Sequence, residues 1–485
     1  MKKNIIKISL AALTVFVSLT SCERNLDQIS SINEDQDQAM TRAESFRQAM
    51  DGAYTALKGG GYYSGDTGSQ LIMGDLTTDN LVRTASGRNT NFAASNFEFS
   101  SDNSQTTGLY NAAYLAISRT NFVLKYINNG VLSGTQKTNI EAEARALRAI
   151  VHFDIVRAYS QIPTQSAGAK TSIGIYYSET YSPLNNTSSR NLTVEQVYDK
   201  IIADLLFSAD NITQNDADKG RLSKAAIYGL LSRVNLYKGD YANTIKYGEL
   251  ALGLSPSVTQ RSNFYAIWKE KEGNVNDGVL FQVSNAAAEQ NTVGAAYNQA
   301  VPSLRSEFVV DYDLYTAYTD NDVRKSAYFT TSIYSKQKYN HVTKYAGNGG
   351  PSNIVPIKYL RSAEVLLNIA EAYYRSGDQA SALTLLNKLR VERYTTFTPG
   401  TEAGQLLLDA ILKERRLELA FENDRWYTLK RLGLPVQRSG KGDLFDGTGS
   451  PAVKQTLDAG NTKWQWPIPI TAIQANPNIK QNENY

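Results

Sequence analysis

Apolar side chains recur at helical spacing along most of the chain. Within residues 41–58 the apolar positions lie three or four residues apart, at Phe46, Met50, Tyr54 and Leu57. This spacing predicts an amphipathic helix, and a glycine triplet at residues 59–61 marks its end. The same periodicity predicts further helices over residues 110–127, 140–159, 192–209, 223–237, 244–252 and 406–432.

Two segments have the layout of a tetratricopeptide unit. In the first, the helices predicted over residues 223–237 and 244–252 are separated by Gly239-Asp240 and followed by Pro256. The second runs over residues 365–390, with its turn at Ser376-Gly377-Asp378. A helix, a tight glycine-containing turn and a second helix form a hairpin that buries its apolar face against its neighbours. We therefore expect a mainly α fold of tetratricopeptide-like helical hairpins.

Residues 257–357, which we call the excursion, have a different texture. Short apolar pieces such as residues 279–283 alternate there with polar loops rich in tyrosine. This pattern predicts short strands and loops beside the helical scaffold. A second loop-rich stretch is expected over residues 62–105. Rigid repeats that carry long loops are typical of proteins in which the loops perform recognition.

The amino terminus predicts a membrane anchor. Lys2, Lys3 and Lys7 precede an apolar run at residues 8–19, which is shorter than the roughly 20 residues of a membrane span. Small residues and then Cys22, the only cysteine of the chain, resemble a bacterial lipobox. We expect a signal peptide over residues 1–21, lipid attachment at Cys22 and a polar tether over residues 22–40. The alternative is an ordinary secretory signal followed by a free thiol.

Composition narrows the class of protein. The chain is 42% hydrophobic and 20% charged, as expected for a globular protein with a large core. A net charge of only +3, without a run of basic residues, argues against a nucleic-acid partner. The 30 tyrosines are unusual beside 15 phenylalanines. Because tyrosine combines an apolar ring with a polar tip, such an excess suits surfaces that bind polar ligands.

Several motifs together resemble those of the SusD/RagB family of nutrient-binding outer-membrane lipoproteins. They occur in one order along nearly the whole chain, at residues 145–149, 360–365, 370–372, 414–422, 425–431, 467–469 and 476–482. The resemblance implies a SusD-like fold, with an N-terminal region over residues 41–256 and a C-terminal region over residues 257–485. His152 stands where the family more often has an aromatic residue.

The resemblance also implies a role without chemistry. Such a protein faces the cell exterior, is held on the outer membrane by its lipid, and needs no metal or cofactor. It binds an oligosaccharide and passes it to a SusC-like TonB-dependent transporter, on which it sits as a lid. Family ligand sites use the early loops and the excursion, so the candidate ligand-binding residues are Tyr62, Tyr63, Arg83, Arg88, Phe92, Asn285, Tyr297, Tyr312 and Tyr315.

Catalytic interpretations have little support in the sequence. Glu414, Glu418 and Glu422 are spaced along one helical face, as a general acid and base might be. We interpret them instead as part of a partly buried ionic network with Arg415, Arg416, Arg425 and neighbouring helices. The two histidines, His152 and His341, are too far apart in sequence to suggest a metal site or a catalytic triad. The four tryptophans, Trp268, Trp426, Trp464 and Trp466, are expected to pack in the core.

Three other functions remain open at this stage. A peptide-capturing lipoprotein would use the same scaffold and the same lid role. A surface enzyme that cleaves glycans would need a catalytic set that the sequence does not suggest. A repeat scaffold that binds only proteins would bind the transporter without a small ligand.

Overall fold

The computed structural model describes residues 39–65, 69–182, 187–213, 217–255, 257–269, 277–284, 293–300, 304–346 and 356–485. The predicted signal peptide, Cys22, most of the predicted tether and Asn285 lie outside these residues. The described residues from Ala49 onward form one compact unit, and residues 39–48 belong to a second. No helix in the described part is both long and apolar enough to cross a membrane.

Helices dominate the first half of the chain. Four long helices follow one another from residue 104 onward, and each packs against the next: α4 on α5, α5 on α6 and α6 on α7. The helices described in this half are α1 (Ala43–Ala56), α2 (Gln70–Leu76), α3 (Phe92–Ser95), α4 (Ser104–Tyr126), α5 (Gly134–Tyr159), α6 (Val194–Asn211), α7 (Lys224–Lys238) and α8 (Tyr241–Leu254), with a 3-10 turn at Ala169–Thr171.

The excursion contains the short strands that its alternating pattern predicts. Its helices are α9 (Arg261–Phe264), α10 (Ala266–Lys269), α11 (Val293–Tyr297), α12 (Tyr312–Ala317) and α13 (Val323–Tyr328). After β1 (Leu81–Arg83) in the early loop region, the strands are β2 (Val279–Val283), β3 (Gln299–Ala300), β4 (Leu304–Arg305), β5 (Phe308–Val310), β6 (Phe329–Tyr334), β7 (Gln337–Val342) and β8 (Ile357–Arg361).

The C-terminal part returns to helices and ends in irregular chain. Its helices are α14 (Ser362–Arg375), α15 (Gln379–Arg390), α16 (Gln405–Glu418), α17 (Arg425–Arg431) and α18 (Ile470–Ala475), with strands β9 (Val436–Gln437) and β10 (Thr456–Leu457) and a 3-10 turn at Thr462–Trp464. Antiparallel pairing joins β2 to β8, and β8 continues directly into α14. The excursion is thereby tied to the start of the second hairpin.

The two predicted tetratricopeptide-like hairpins are confirmed. Gly239 joins α7 to α8 with a φ of 82°, and Gly377 joins α14 to α15 with a φ of 91°. Glycine adopts such positive φ angles with little steric strain. An aspartate then caps each second helix: Asp240 accepts a hydrogen bond from the backbone N–H of Asn243, and Asp378 from that of Ser381. Helix α8 packs against α14, so the hairpins stack although the excursion separates them in sequence.

The prediction of one continuous helix over residues 406–432 is wrong. The helix stops at Glu418 and restarts at Arg425, and between them Phe421 and Asn423 have φ angles of 67° and 64°. The backbone N–H of Phe421 donates to the buried carboxylate of Asp75, 3.0 Å away. This contact with a distant segment replaces a helical hydrogen bond, which apolar periodicity alone does not reveal.

Tyrosines of the excursion satisfy the carbonyl groups that this break leaves without helical partners. The hydroxyl of Tyr318 donates to the carbonyl of Leu417 at 2.8 Å, and that of Tyr328 to the carbonyl of Glu418 at 2.9 Å. Farther along, the hydroxyl of Tyr345 donates to the carbonyl of Phe421 at 2.7 Å. Helix ends leave such carbonyls unpaired, and buried ones need a donor. The excursion therefore supplies the C-terminal cap of α16.

The predicted ionic network exists, and it is fully buried. The carboxylate of Glu418 lies 2.7 Å from the guanidinium of Arg361, 2.7 Å from that of Arg393 and 3.3 Å from that of Arg324. Arg324 also lies 2.6 Å from Glu414. Burial opposes ionisation of Glu418, but Arg393 and Arg361 outweigh it and hold its pKa well below the usual range. These carboxylates are held as ion-pair partners and are not free for acid–base chemistry.

The partners of this network differ from those predicted. Arg415 binds Asp424 at 2.5 Å, whereas Arg416 and Arg425 both bind Asp79, at 3.2 and 2.7 Å. Residues adjacent along a helix point in different directions, so these arginines do not face Glu414 or Glu418. The arginines that do face them come from the excursion, from Arg390 at the end of the second repeat, and from the segments that flank this repeat.

The tryptophans and His152 pack in the core, as predicted. All four indoles are buried, and the rings of Trp426 and Trp464 lie 4.2 Å apart between centroids. His152 is stacked at 3.9 Å on Tyr177, and it accepts a hydrogen bond from the backbone N–H of Ser178 through Nε2. Burial lowers the pKa of His152 to about 3, so the ring is neutral at physiological pH.

Replacing Glu418 tests whether the network holds the excursion and the second repeat to α16. We expect Glu418→Gln to lower the free energy of unfolding by about 3–5 kcal/mol, because three buried guanidinium groups lose their shared counter-charge. Urea unfolding followed by circular dichroism measures the change. The control is Glu179→Gln, whose carboxylate pairs with Lys200 at an exposed site and should contribute less than about 1 kcal/mol. Equal effects of the two changes would contradict this role.

Acid should destabilise the fold through Glu371 on α14. Arg431 donates hydrogen bonds to both carboxylate oxygens of Glu371, at 2.8 and 2.5 Å. Burial opposes ionisation of Glu371, but this ion pair outweighs burial and lowers the pKa of Glu371 to about 2, from 4.5. A depressed pKa contributes stability that is present above the unfolded value and is lost as pH falls towards the folded one. We expect a loss of about 3 kcal/mol between about pH 5 and pH 2. Urea midpoints that stay constant over this range would refute it.

Candidate functional site

A four-stranded antiparallel sheet joins the two loop-rich regions of the sequence. Its strand order is β1-β5-β7-β6. Leu81, Val82 and Arg83 pair with Val310, Val309 and Phe308, so segments more than 200 residues apart become neighbours. The early loops and the excursion, which supply the predicted ligand-binding residues, thus share one sheet.

One face of this sheet carries two tyrosines of the β6–β7 hairpin. In the hairpin register, Ser332 opposes Tyr339 and Tyr334 opposes Gln337, which puts Tyr334 and Tyr339 on the same face. Tyr339 is buried against Val82 and Val309, whereas Tyr334 is partly exposed at the edge of this cluster.

The segments after β1 and before β5 fold back over these tyrosines. Arg305 lies over the ring of Tyr334, 5.7 Å from its centroid, and donates two hydrogen bonds to the carbonyl of Ser86, at 3.1 and 3.3 Å. The hydroxyl of Ser86 donates to that of Tyr339 at 3.3 Å. We call the surface formed by Tyr334, Tyr339, Arg305 and the loop of residues 83–92 the tyrosine face.

Glu307 fixes the loop of the tyrosine face. One carboxylate oxygen accepts hydrogen bonds from the backbone N–H of Thr90, at 2.7 Å, and from its hydroxyl. The other accepts from Arg88, at 2.8 and 3.2 Å. The Glu307 side chain is only 1% exposed, so its charge is spent on holding this loop. Ala85, Asn89 and Thr90 are left exposed on its outer side.

A third segment, residues 439–451, borders the tyrosine face. Asp443 accepts a hydrogen bond from the backbone N–H of Ala85 at 2.9 Å, and Leu444 packs against the cluster around Tyr339. The next residue, Phe445, is 39% exposed, and the ammonium of Lys338 lies 4.6 Å from its ring centroid. An exposed aromatic ring therefore stands beside the sheet.

Three of the predicted ligand-binding residues belong to the tyrosine face. Arg83 is partly exposed, lies over the ring of Phe92 at 4.8 Å and donates to the side-chain oxygen of Asn89. Arg88 is the partner of Glu307. That Arg83, Arg88 and Phe92 contact a ligand stays a prediction.

Three other predicted residues lie in the core. Tyr62 and Tyr63 are buried and donate from their hydroxyls to Asp154, at 2.6 and 3.0 Å. Tyr297 is buried between Tyr345 and Phe421. Their rings are surrounded by protein, so in this structure Tyr62, Tyr63 and Tyr297 offer no face to a ligand.

Tyr312 and Tyr315 are partly exposed but differ in their surroundings. The ring of Tyr312 lies against Gly447, in the segment that borders the tyrosine face. Tyr315 packs on Phe329 and its hydroxyl lies 3.3 Å from that of Thr331. Phe329 and Thr331 alternate with Tyr334 along β6, so Tyr315 is on the opposite face of the sheet. It lines a separate cleft with Asn321 and Lys325, among other residues.

Sequence reasoning missed Arg305 and Tyr334. Tyr334 is one of many tyrosines in the excursion, and only strand register separates it from its neighbours. No group of three or more histidine, cysteine, aspartate or glutamate side chains in the described part of the chain is arranged to hold a metal ion.

Comparison with known proteins shows the family to which the chain belongs. A family model described as "SusD family" matches residues 256–485, and one described as "Starch-binding associating with outer membrane" matches residues 30–236. The chain belongs to the SusD family. SusD-like protein P2 of Formosa agariphila is 25% identical over 90% of this chain and 91% of its own length. SusD-like protein P38 of the same organism is 22% identical and covers 100% of this chain and 99% of its own.

Solved structures confirm the mainly α, SusD-like fold. A putative sugar binding protein from Bacteroides vulgatus is 25% identical, with a TM-score of 0.78 over 92% of this chain and 99% of its own. The surface glycan-binding protein A from Bacteroides uniformis is 21% identical, with a TM-score of 0.67 over 90% of this chain and 99% of its own. Where the names of these SusD-like relatives state a role, that role is binding and not catalysis, in agreement with the non-enzymatic role predicted from the sequence.

The role of Glu307 can be tested by changing one carboxylate oxygen to an amide nitrogen. In Glu307→Gln the new N–H₂ group cannot accept the hydrogen bonds it replaces, so the loop of residues 83–92 should loosen. We expect the amide of Thr90 to exchange about tenfold faster or more. Hydrogen exchange read by mass spectrometry measures this, and Glu98→Gln, at an exposed position, is the control. Unchanged exchange at Thr90 would mean that other contacts hold the loop.

Proposed function

We propose that this protein is a surface lipoprotein of the outer membrane that captures an oligosaccharide on the tyrosine face. The observation that carries the proposal is the pair of partly exposed rings, Phe92 and Tyr334, each of which lies beneath an arginine guanidinium. Aromatic rings offer flat apolar surfaces to the C–H faces of sugars, while N–H donors pair with sugar hydroxyls. The descriptions "starch-binding" and "sugar binding protein" among the relatives support the same ligand class.

In this proposal the protein hands its ligand to a SusC-like TonB-dependent transporter, for which it acts as a lid. The lipid at Cys22 holds it on the membrane, facing the cell exterior, and the polar tether over residues 22–40 lets it move. A protein that carries several acyl chains stays on the membrane, whereas one chain anchors only weakly. Family membership supports this arrangement.

Binding without turnover is the central test. The Cys22→Ala protein, which lacks the lipid site, should bind at least one oligosaccharide of a soluble panel in calorimetry and release no shortened products. We expect Tyr334→Ala and Phe92→Ala each to weaken binding about fivefold or more, because each removes a stacking surface of about 1 kcal/mol. The control is Tyr265→Ala, since Tyr265 is 53% exposed but lies outside the tyrosine face.

Two results would refute the proposal. Shortened products released by the purified protein would identify an enzyme. Binding to a mixed peptide pool, with none to any glycan, would favour the peptide-capturing alternative on the same scaffold.

A further inference from the structure

Two arginines of the tyrosine face carry charges that no carboxylate neutralises. Among the described residues, no aspartate or glutamate forms an ion pair with Arg83 or Arg305. The hydrogen bonds of both side chains go to neutral oxygens, namely the amide oxygen of Asn89 and the carbonyl of Ser86. Both side chains are partly buried, which makes an unpaired charge more costly than in open solvent.

Many arginines with similar or deeper burial are paired with a carboxylate, and two that are not, Arg190 and Arg438, spend their N–H donors mainly on backbone carbonyls. Arg88, in the same loop, is matched by Glu307 at 2.8 Å, and its side chain is 29% exposed. In the core, Arg361 is matched by Glu418 and Arg415 by Asp424. The tyrosine face thus contains three arginines, of which Arg88 is neutralised by a carboxylate and Arg83 and Arg305 are not.

Arg83 and Arg305 each lie over an aromatic ring, and each keeps N–H donors that no protein oxygen uses. Arg83 lies over Phe92, and Arg305 over Tyr334, at 4.8 and 5.7 Å from the ring centroids. A stacked guanidinium keeps its N–H groups in its own plane, where they suit bidentate contact with a planar or tetrahedral anion. Of its five N–H donors, Arg83 uses one and Arg305 uses two on protein oxygens.

The two carboxylates that contact the loop of residues 83–92 already have other hydrogen-bond partners. Glu307 is spent on Arg88 and Thr90, and Asp443 accepts hydrogen bonds from the backbone N–H groups of Ala85 and Ser450. Lys338 of the adjoining hairpin pairs with Ile333 and alternates with Tyr339, so it is on the opposite face of the sheet. The positive charge of the tyrosine face that no carboxylate offsets is therefore that of Arg83 and Arg305.

We propose that Arg83 and Arg305 form an anion subsite, and that the ligand is an acidic oligosaccharide bearing carboxylate or sulfate groups. This inference rests on the proposed function and specifies its substrate class. The rings of Phe92 and Tyr334 pack against the sugar while the guanidinium groups bind its acidic substituents. A carboxylate-bearing and a sulfate-bearing sugar share this chemistry.

Matched ligands test the proposal on the otherwise unmodified Cys22→Ala protein. The panel pairs oligogalacturonate with its carboxyl-reduced form, and sulfated carrageenan oligosaccharide with its desulfated form, together with neutral glucan and xylan oligosaccharides. We expect one acidic ligand to bind at least about tenfold tighter than its neutral counterpart, since charge-assisted contacts are lost in the latter. Its affinity should fall between about 50 and about 500 mM salt. Which acidic member binds distinguishes carboxylate from sulfate.

Variants then assign the effect to the two arginines. We expect R83Q and R305Q each to weaken binding of the acidic ligand about tenfold and binding of its neutral counterpart about threefold or less, because the glutamine amide still donates to a hydroxyl but carries no charge. R83K should retain part of the affinity, because it keeps the charge without the bidentate fork. K413Q, at an exposed position on α16, is the control for loss of one positive charge.

The outcomes separate the two proposals. A tightest ligand that is neutral, or acidic binding that neither salt nor R83Q nor R305Q weakens, overturns the anion subsite and leaves glycan capture standing. Binding of an acidic peptide in place of every sugar overturns both, as does a protein that binds no member of the panel.

Discussion

The buried carboxylate of Glu418 is the contact on which the arrangement of this protein depends. Three guanidinium groups converge on it: Arg324 from the excursion, Arg361 from the strand that leads into the second hairpin, and Arg393 from the segment after that hairpin. Removing a partner from a buried charge leaves that charge uncompensated, and this costs more free energy than the loss of an apolar contact. The three segments cannot leave α16 independently. Non-local electrostatics, more than local helix propensity, joins the repeats to the excursion.

This constraint reaches the tyrosine face through a short path along the chain. Arg324 lies on α13, which runs directly into β6, and β6 carries Tyr334 six residues after α13 ends. The hairpin is therefore anchored at the network, while its turn reaches the exposed surface. Glu307 acts similarly at the other edge, where it holds the loop of residues 83–92. The buried carboxylates of Glu418 and Glu307 thus fix the two edges of the sheet. The exposed positions between these edges are therefore available for ligand-binding side chains.

Local sequence signals predicted the helical frame well, and long-range pairing is where they failed. Gly239 and Gly377, each followed by a capping aspartate, identify the two hairpins because turn and cap chemistry act within a few residues. The sheet could not be predicted in the same way, because β1 and β5 have three residues each and lie in distant segments. The break after Glu418 depends on Asp75, more than 300 residues away. Arg83, Arg88 and Phe92, which the resemblance proposed as ligand contacts, lie on the tyrosine face. Tyr334 could be placed there only from strand register, and Tyr62, Tyr63 and Tyr297 are core residues.

The hydroxyls of Tyr318, Tyr328 and Tyr345, which donate to backbone carbonyls at and just after the end of α16, give a structural reason for part of the tyrosine excess. These phenols act as structural fasteners, each joining an excursion segment to a backbone carbonyl of the helical frame. Loss of any one of these hydroxyls would leave a buried carbonyl without its donor and would loosen one segment of the excursion. Part of the tyrosine excess is therefore a requirement of the architecture, whatever the surface binds.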